Sequence, residues 1–447
     1  MAVEAAGTMA ACAPDLDRPW SRALSYLIVA FLAEGIVGKL AFGRAALMPQ
    51  FVHLLLSAAA VALLIALAAT RNALGGRALV PNADVRALRL CVGAMILWGL
   101  LSSIAQVSFV AGNLIFWSLW AANLAAVWWA APRLLQWDGM ESRLRLIGLV
   151  LGGVLAAAVL LVPFCAFANG RFGGPFANPT MMGRVAVLAS LFWFAQFLAR
   201  GGRSMLSAAL WLTASVALAL TRTRASLAAA AVGLVVCLAA FAWSADVRFR
   251  LRAARVAAVG LFSTGLFAVS LLIVTDGDRV ADFLRIRQDA GDIYSTARAM
   301  NWDAGVERLH HMGFFGGGFL SKFAPEKTRD FMGVVVPTYD WTTDSDPLNS
   351  VLGTCQQTGW VGGGLFVLFL ALLVWRSATA APRVRPLLLG LCAAGLVWGL
   401  FDGNWLTSFG DPIDRICMVT FALLLSVPQQ AGSRPGARVE GRPHAAA

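Results

Sequence analysis

Residues 204–243 read SMLSAALWLTASVALALTRTRASLAAAAVGLVVCLAAFAW. Two apolar runs, Ser204–Leu220 and Ala225–Trp243, are joined by a connection too short to be a domain, so the stretch is expected to form a pair of membrane helices meeting at Thr221–Ser226 (TRTRAS). Arg222 and Arg224 fall at that boundary. Guanidinium groups at such depth are costly, and membrane chains keep them mainly where a pathway, partner or substrate needs them. The plainer reading is that both arginines snorkel to headgroups. Topology decides between the two.

The whole chain belongs to the same class. Of its 447 residues 59% are hydrophobic and 13% charged, with a mean hydropathy of +0.72, whereas a soluble domain carries roughly a quarter charged residues. A formal charge of +12 would suggest nucleic acid in a soluble protein; in a membrane protein it fits loops facing anionic lipid, and no nucleic-acid partner is expected. Only three cations are lysines, Lys39, Lys322 and Lys327, so nearly all the basic groups are fork-shaped guanidiniums suited to phosphate. The seven cysteines lie mostly inside apolar runs without paired spacing and read as small buried hydrophobes. Met1–Trp20 is polar and lacks an apolar centre, so the first spanning helix is expected to direct insertion itself.

At about 20 apolar residues per span, the pattern predicts an all-α polytopic integral membrane protein of about 12 transmembrane helices. They fall near 22–42, 51–70, 89–109, 113–131, 145–165, 181–199, 204–220, 225–243, 256–275, 349–375, 386–401 and 411–428. An even number of spans puts both termini on one side. Alternate loops at 71–89, 132–146, 200–203, 244–255 and 376–385 hold sixteen arginines (71, 77, 86, 89, 133, 143, 145, 200, 203, 248, 250, 252, 255, 376, 383, 385) against four acids (84, 138, 141, 246), which marks them as cytoplasmic. TRTRAS then faces out, and so do Arg171 and Arg184. Arg222 and Arg224 break the inside rule, so the snorkelling reading loses ground.

The predicted organisation is a cytoplasmic N-terminus at 1–21, helices 1–9 within 22–275, a long external loop at 276–348, helices 10–12 within 349–428, and a disordered cytoplasmic tail at 429–447 rich in Gly, Pro and Ala. The long loop contains an amphipathic helix near Ser295–Leu309, ended by Gly313, Gly316, Gly317 and Gly318; beyond it the sequence to Asp346 reads as irregular.

Several spaced pieces resemble the bacterial O-antigen ligase and O-antigen or exopolysaccharide polymerase family of membrane glycosyltransferases. Gly170-Arg171-Phe172 with Gly174, followed by Phe176-Ala177-Asn178-Pro179-Thr180, is similar to that family's external turn before a helix. Thr221–Ser226 is similar to its Ser/Thr-Arg signature, with Arg224 at the signature position; Arg298, Trp302 and the Gly316/Gly318 pair resemble its long-loop pattern. Asn349 through Gln357-Thr358-Gly359-Trp360-Val361-Gly362 resembles the start of the helix that follows. Ligases of the family place a His immediately before the Asn, and this chain has Leu348 there. That departure tilts the expectation to polymerase.

The resemblance implies transfer of a glycan from a polyprenyl (undecaprenyl) diphosphate carrier to an acceptor at the periplasmic face of the bacterial inner membrane, in O-antigen (lipopolysaccharide) or exopolysaccharide biosynthesis, without metal or cofactor. Expected partners are the carrier-linked donor, a glycan or lipid-linked acceptor, membrane lipids and other polysaccharide assembly proteins. The residue types allow the same chemistry: a departing diphosphate gathers negative charge that fixed Arg forks can stabilise in a partly dehydrated site. Arg224 is the first candidate for that contact and Arg298 the second, with Arg171 and Arg222 supporting. His311 and Asp346 are candidate catalytic groups at the acceptor hydroxyl, alongside His310 and Asp344. Asn178, Trp302 and Asn349 are candidate sugar contacts, although Asn in such positions more commonly caps a helix. Asp344-Ser345-Asp346 has the spacing of a metal-binding pair, but the sequence offers no partner cluster. The alternatives are a ligase acting on lipid A-core and, in another class, a lipid-linked oligosaccharide flippase, which ought to show internal symmetry and matching broken helices.

Overall fold

The computed structural model describes residues 83–106, 110–134, 140–160, 179–244, 349–401 and 412–426, with shorter pieces at 59, 61–63, 65–69, 167–168, 171–176, 302–303, 305–307, 309–310, 313–319, 323–331 and 334–344. These residues are almost entirely helical. In chain order the helices are α1 Ala83–Ala105, α2 Val110–Ala125, α3 Met140–Leu160, α4 Pro179–Ala199, α5 Met205–Thr221, α6 Arg224–Ser244, α7 Ser350–Thr379, α8 Arg385–Phe401 and α9 Pro412–Leu425. Helix α2 runs on through a π turn, Ala126–Ala130, into Ala131–Leu134.

Six helices among the described residues are long and apolar enough to cross a membrane: Val85–Ala105, Val110–Arg133, Met140–Leu160, Pro179–Ala199, Arg224–Trp243 and Ser350–Thr379. Met205–Thr221 and Arg385–Phe401 are shorter apolar helices. The membrane-spanning elements among the described residues are therefore all α-helices. Predicted spans 22–42 and 256–275 lie outside the described residues, and 51–70 is helical at 59, 61–63 and 65–69. The predicted span 89–109 starts six residues earlier, at Ala83, and 145–165 starts at Met140. Arg86 in α1, and Glu141 and Arg143 in α3, read from the sequence as loop residues, are good helix formers that simply extend the first turns.

Contacts between helices fix their directions. Cys91 reaches the Leu365 carbonyl (3.5 Å) and Trp98 Nε1 donates to the Thr358 carbonyl (2.7 Å), so α1 and α7 run antiparallel. Trp117 Nε1 donates to the Ile96 carbonyl (2.8 Å) and Arg89 Nε to that of Trp128 (2.9 Å), making α1 and α2 antiparallel. In lipid, helices associate by close packing rather than by hydrophobic drive, and small residues set the distance. Gly233 of α6 and Gly390 of α8 are such a contact: a Cβ on either would stand 2.9 Å from the other's carbonyl oxygen. Gly233 also faces Ala394 and Gly390 faces Cys237, so these helices too are antiparallel. Gly183 lies against Thr223 and Ser226, and Leu191 against Gly233, so α4 and α6 run parallel. Helix α4 is apolar all round and buried along nearly its whole length, as the central helix of a bundle must be.

Two ends result. At one lie the C-termini of α1, α5 and α8 and the N-termini of α2, α4, α6 and α7. The other, basic end carries Arg86, Arg89, Arg133, Arg143, Arg145, Arg200, Arg203, Arg376, Arg383 and Arg385. There Arg143, fully buried in the first turn of α3, donates to the Leu423 carbonyl and Ser426 Oγ (2.5 and 2.6 Å) at the end of α9. Arg383 pairs with Glu141 in an exposed ion pair, of a kind worth about 0–1 kcal/mol.

The stretch after Gly318, predicted as irregular, contains an antiparallel hairpin: β3 Phe323–Phe331 pairs with β4 Val334–Asp344, with irregular register near Pro325. The clustered Val334–Val336 and Thr338–Thr343 carry ordinary strand preference, and in a two-stranded sheet every strand is an edge, where Pro is tolerated. A smaller hairpin joins β1 Phe167–Ala168 to β2 Arg171–Phe172 just before α4.

Candidate functional site

The corner between α5 and α6 occupies the end of the bundle opposite the basic one. Helix α5 begins at Ser204, whose Oγ accepts from Ser207 N (3.3 Å), and stops when Arg222 turns to φ 51°, ψ 33°, the left-handed region. Arg222 N still donates to the Ala219 carbonyl (3.1 Å), while Thr223 already offers its carbonyl to Leu227 N (2.9 Å) at the start of α6. Arg222 is the single non-glycine residue with positive φ among those described. An L-residue there costs about 1–2 kcal/mol, which Gly would avoid, so the corner carries a guanidinium at a position where backbone economy favours none.

Beneath the corner is a floor of hydroxyls. Thr221, Thr223 and Ser226 are all buried. Thr221 Oγ1 donates to the Leu218 carbonyl (2.7 Å) and lies 2.9 Å from Thr223 Oγ1, while Ser226 Oγ has no hydrogen-bond partner among the described residues. Helix α4 reaches this floor because residue 183 has no side chain: a Cβ there would meet Thr223 Oγ1 at 2.5 Å and Ser226 Oγ at 2.7 Å. Arg184, the next residue, is buried. Arg224 is exposed and Arg222 half-buried. Strand β2 packs on α4 and α5, with Phe172 and Phe176 buried, so the backbone at Arg171 is brought to the same corner.

A second assembly at this end surrounds α7. Asn349 takes an extended conformation and caps the helix, its Oδ1 accepting from Val351 N (3.0 Å) and Leu352 N (3.1 Å). Ten residues on, Gly359 breaks the helix at φ 69°, ψ −173°. Carbonyls freed by the break are taken up by the Gly-rich loop and by α1: Gly317 N donates to the Gln356 carbonyl (2.7 Å), Gly318 N to Gln357 (3.0 Å) and Trp98 Nε1 to Thr358 (2.7 Å). Ser102 Oγ lies 2.5 Å from the Phe315 carbonyl and 2.9 Å from that of Gln357, and Gln106 Nε2 donates to Gly316. A Cβ at Gly359 would fall on the Phe314 carbonyl oxygen. Phe315 stacks on Trp98 (5.3 Å between centroids), and His310 lies edge-on to Trp360 (6.5 Å).

The structure thus brings Arg222, Arg224, Arg184 and the backbone of Arg171 to one end of the bundle, and Asn349, His310 and the Gly316/Gly318 loop to that same end. Trp302 is half-buried in a helical stretch, its Nε1 without a hydrogen-bond partner among the described residues. Arg298, His311, Asp346, Asn178 and Leu348 lie outside the described residues; Asp344 is described in its backbone only, at the end of β4. Sequence reasoning passed over Trp98, Ser102, Gln106 and Gly183. The first three sit inside or at the edge of an apolar run, where Ser102-Ser103 and Gln106 near a span end are the visible signal. No family model matches the chain, and no curated protein is similar enough to count as a relative.

Proposed function

We propose that the protein is a membrane glycosyltransferase that takes a glycan from a polyprenyl diphosphate carrier and joins it to another carrier-linked repeat unit, working at the bundle end that carries the α5–α6 corner. The observation that carries this reading is Arg222 with Arg224 on a two-residue helical corner at the end opposite the basic loops. Guanidiniums held by rigid backbone suit a leaving diphosphate, whose charge grows as the sugar C1–O bond breaks. If the basic end faces the cytoplasm, as its arginines imply, the corner faces the periplasm, where carrier-linked glycans are assembled. Arg298, His311 and Asp346 complete the proposed catalytic set, with Arg171, Asn178, Trp302 and Asn349 at the substrate. The acceptor hydroxyl transfers its proton to a base as it attacks C1, and the diphosphate leaves with the bonding pair.

The test is deletion of the gene with complementation by Arg224→Ala, followed by gel analysis of the cell's glycans. Single repeat units on normal acceptor lipid mark loss of polymerisation. Long carrier-bound chains without transfer mark a ligase instead, and a precursor trapped in the cytoplasm marks a flippase. Wild-type glycans from Arg224→Ala would remove the site assignment.

A further inference from the structure

At the basic end, helix α2 loosens into its π turn, with Ala131 N–H donating to the Ala126 carbonyl five residues back. The Trp128 carbonyl in this turn is met by Arg89 Nε across the helix pair at 2.9 Å. This bond prevents Arg89 from snorkelling away, and it uses one of the five N–H donors of the guanidinium. Arg133, five residues beyond Trp128 on the same continuous helix and so just past the Arg89 contact, is exposed. Arg86, one turn before Arg89 on α1, is also exposed. Among the described residues no carboxylate pairs with any of the three; the ion pair described at this end joins Arg383 to Glu141. Like charges held together at a membrane boundary are repulsive unless an anion lies between them.

The same helix supplies a place for the rest of that anion. Leu90, Leu97, Leu101 and Ile104 are 68%, 60%, 44% and 50% exposed, and spacings of seven, four and three put them in one stripe along α1. At 1.5 Å per residue the stripe runs about 21 Å, close to the length of an extended acyl chain, and it begins one residue from Arg89. We infer that Arg86, Arg89 and Arg133 form a binding site for the phosphate of an anionic phospholipid, with one acyl chain lying on the Leu90–Ile104 stripe. Basic pockets between membrane helices take such headgroups, and the planar guanidinium matches the two oxygens of a phosphate.

The test uses the full-length protein purified in detergent, with bound lipid read by native mass spectrometry after addition of phosphatidylglycerol or phosphatidylcholine. The wild type retains phosphatidylglycerol and not phosphatidylcholine. The double variant Arg86→Gln/Arg133→Gln leaves the Arg89 bond to Trp128 in place and loses phosphatidylglycerol on the order of tenfold or more. The control Arg200→Gln/Arg203→Gln removes the same charge from exposed positions at the same end and retains it. Equal loss in both variants would mean generic charge attraction and would overturn the site; so would full retention by Arg86→Gln/Arg133→Gln. Displacement of the lipid by millimolar inorganic phosphate would show that the arginines hold a free anion and that the Leu90–Ile104 stripe takes no part.

Discussion

Replacing Gly359 with Ala tests the coupling between the long loop and the membrane bundle. At φ 69°, ψ −173° the residue occupies a region essentially restricted to glycine, costing a side-chain-bearing residue about 1–3 kcal/mol. The added methyl would also fall on the Phe314 carbonyl oxygen. The cheapest relief is for α7 to close into a continuous helix, with the Gln356, Gln357 and Thr358 carbonyls accepting from the next turn. The bonds from Gly317, Gly318 and Trp98 would then be lost, at about 1 kcal/mol each. Together the two loop bonds and the strain at residue 359 weaken the loop's docking by about 3–5 kcal/mol; α1 loses its Trp98 bond to Thr358, and the rest of the bundle keeps its contacts. Amide hydrogen exchange of the Gly-rich loop in detergent micelles reads this directly: Gly317 and Gly318 should exchange at least 100-fold faster in Gly359→Ala, with α4 and α6 unchanged. Unaltered protection of Gly317 and Gly318 would refute the reasoning, because it would mean that the helix break is not what holds the loop.

Arg222→Gly should raise thermal stability, relieving about 1 kcal/mol of left-handed strain, while lowering glycan transfer; a variant both stabilised and fully active would make Arg222 dispensable. Arg224→Lys should lose most activity, since an ammonium does not present two parallel donors, and retained polymer on a gel would mean that net charge suffices. Gly183→Val should push α4 off Thr223 and Ser226 at a cost of about 1–3 kcal/mol, seen as a lower midpoint in a fluorescence melt. Asn349→Ala should lose about 1 kcal/mol of capping, whereas Asn349→Asp keeps the cap; equal activity in Asn349→Asp and the wild type would reduce Asn349 to a structural residue.

The bundle was largely legible because lipid makes the code simple: each span must satisfy its own backbone and present apolar side chains, and runs such as Ala225–Trp243 do so without ambiguity. Helix starts were harder, since Arg86 and Arg89 extend α1 while looking like loop. The charge asymmetry that pointed to TRTRAS also holds in space, with ten arginines at one end and the corner at the other. What the sequence hid depends on pairs of distant residues. Nothing local marks Gly183 as the floor under Thr223, or Trp98 and Ser102 as partners of a broken helix 255 residues and more away. Arg222 in a left-handed turn is equally invisible, because its conformation is imposed by two helices that both continue to the junction.

The break in α7 also sets a thickness. All 30 residues of that helix would measure about 45 Å, half as long again as a typical hydrocarbon layer of about 30 Å. The part after Gly359, Trp360–Thr379, matches such a layer and has an exposed tryptophan near each limit, Trp360 and Trp375. The preceding Ser350–Thr358, about two and a half turns docked on the Gly-rich loop and α1, is the length in excess of that layer. A membrane a few ångströms thicker would draw Thr358 toward the acyl chains and load the Gly-rich loop, so hydrophobic mismatch at this helix would be felt first where the loop is docked.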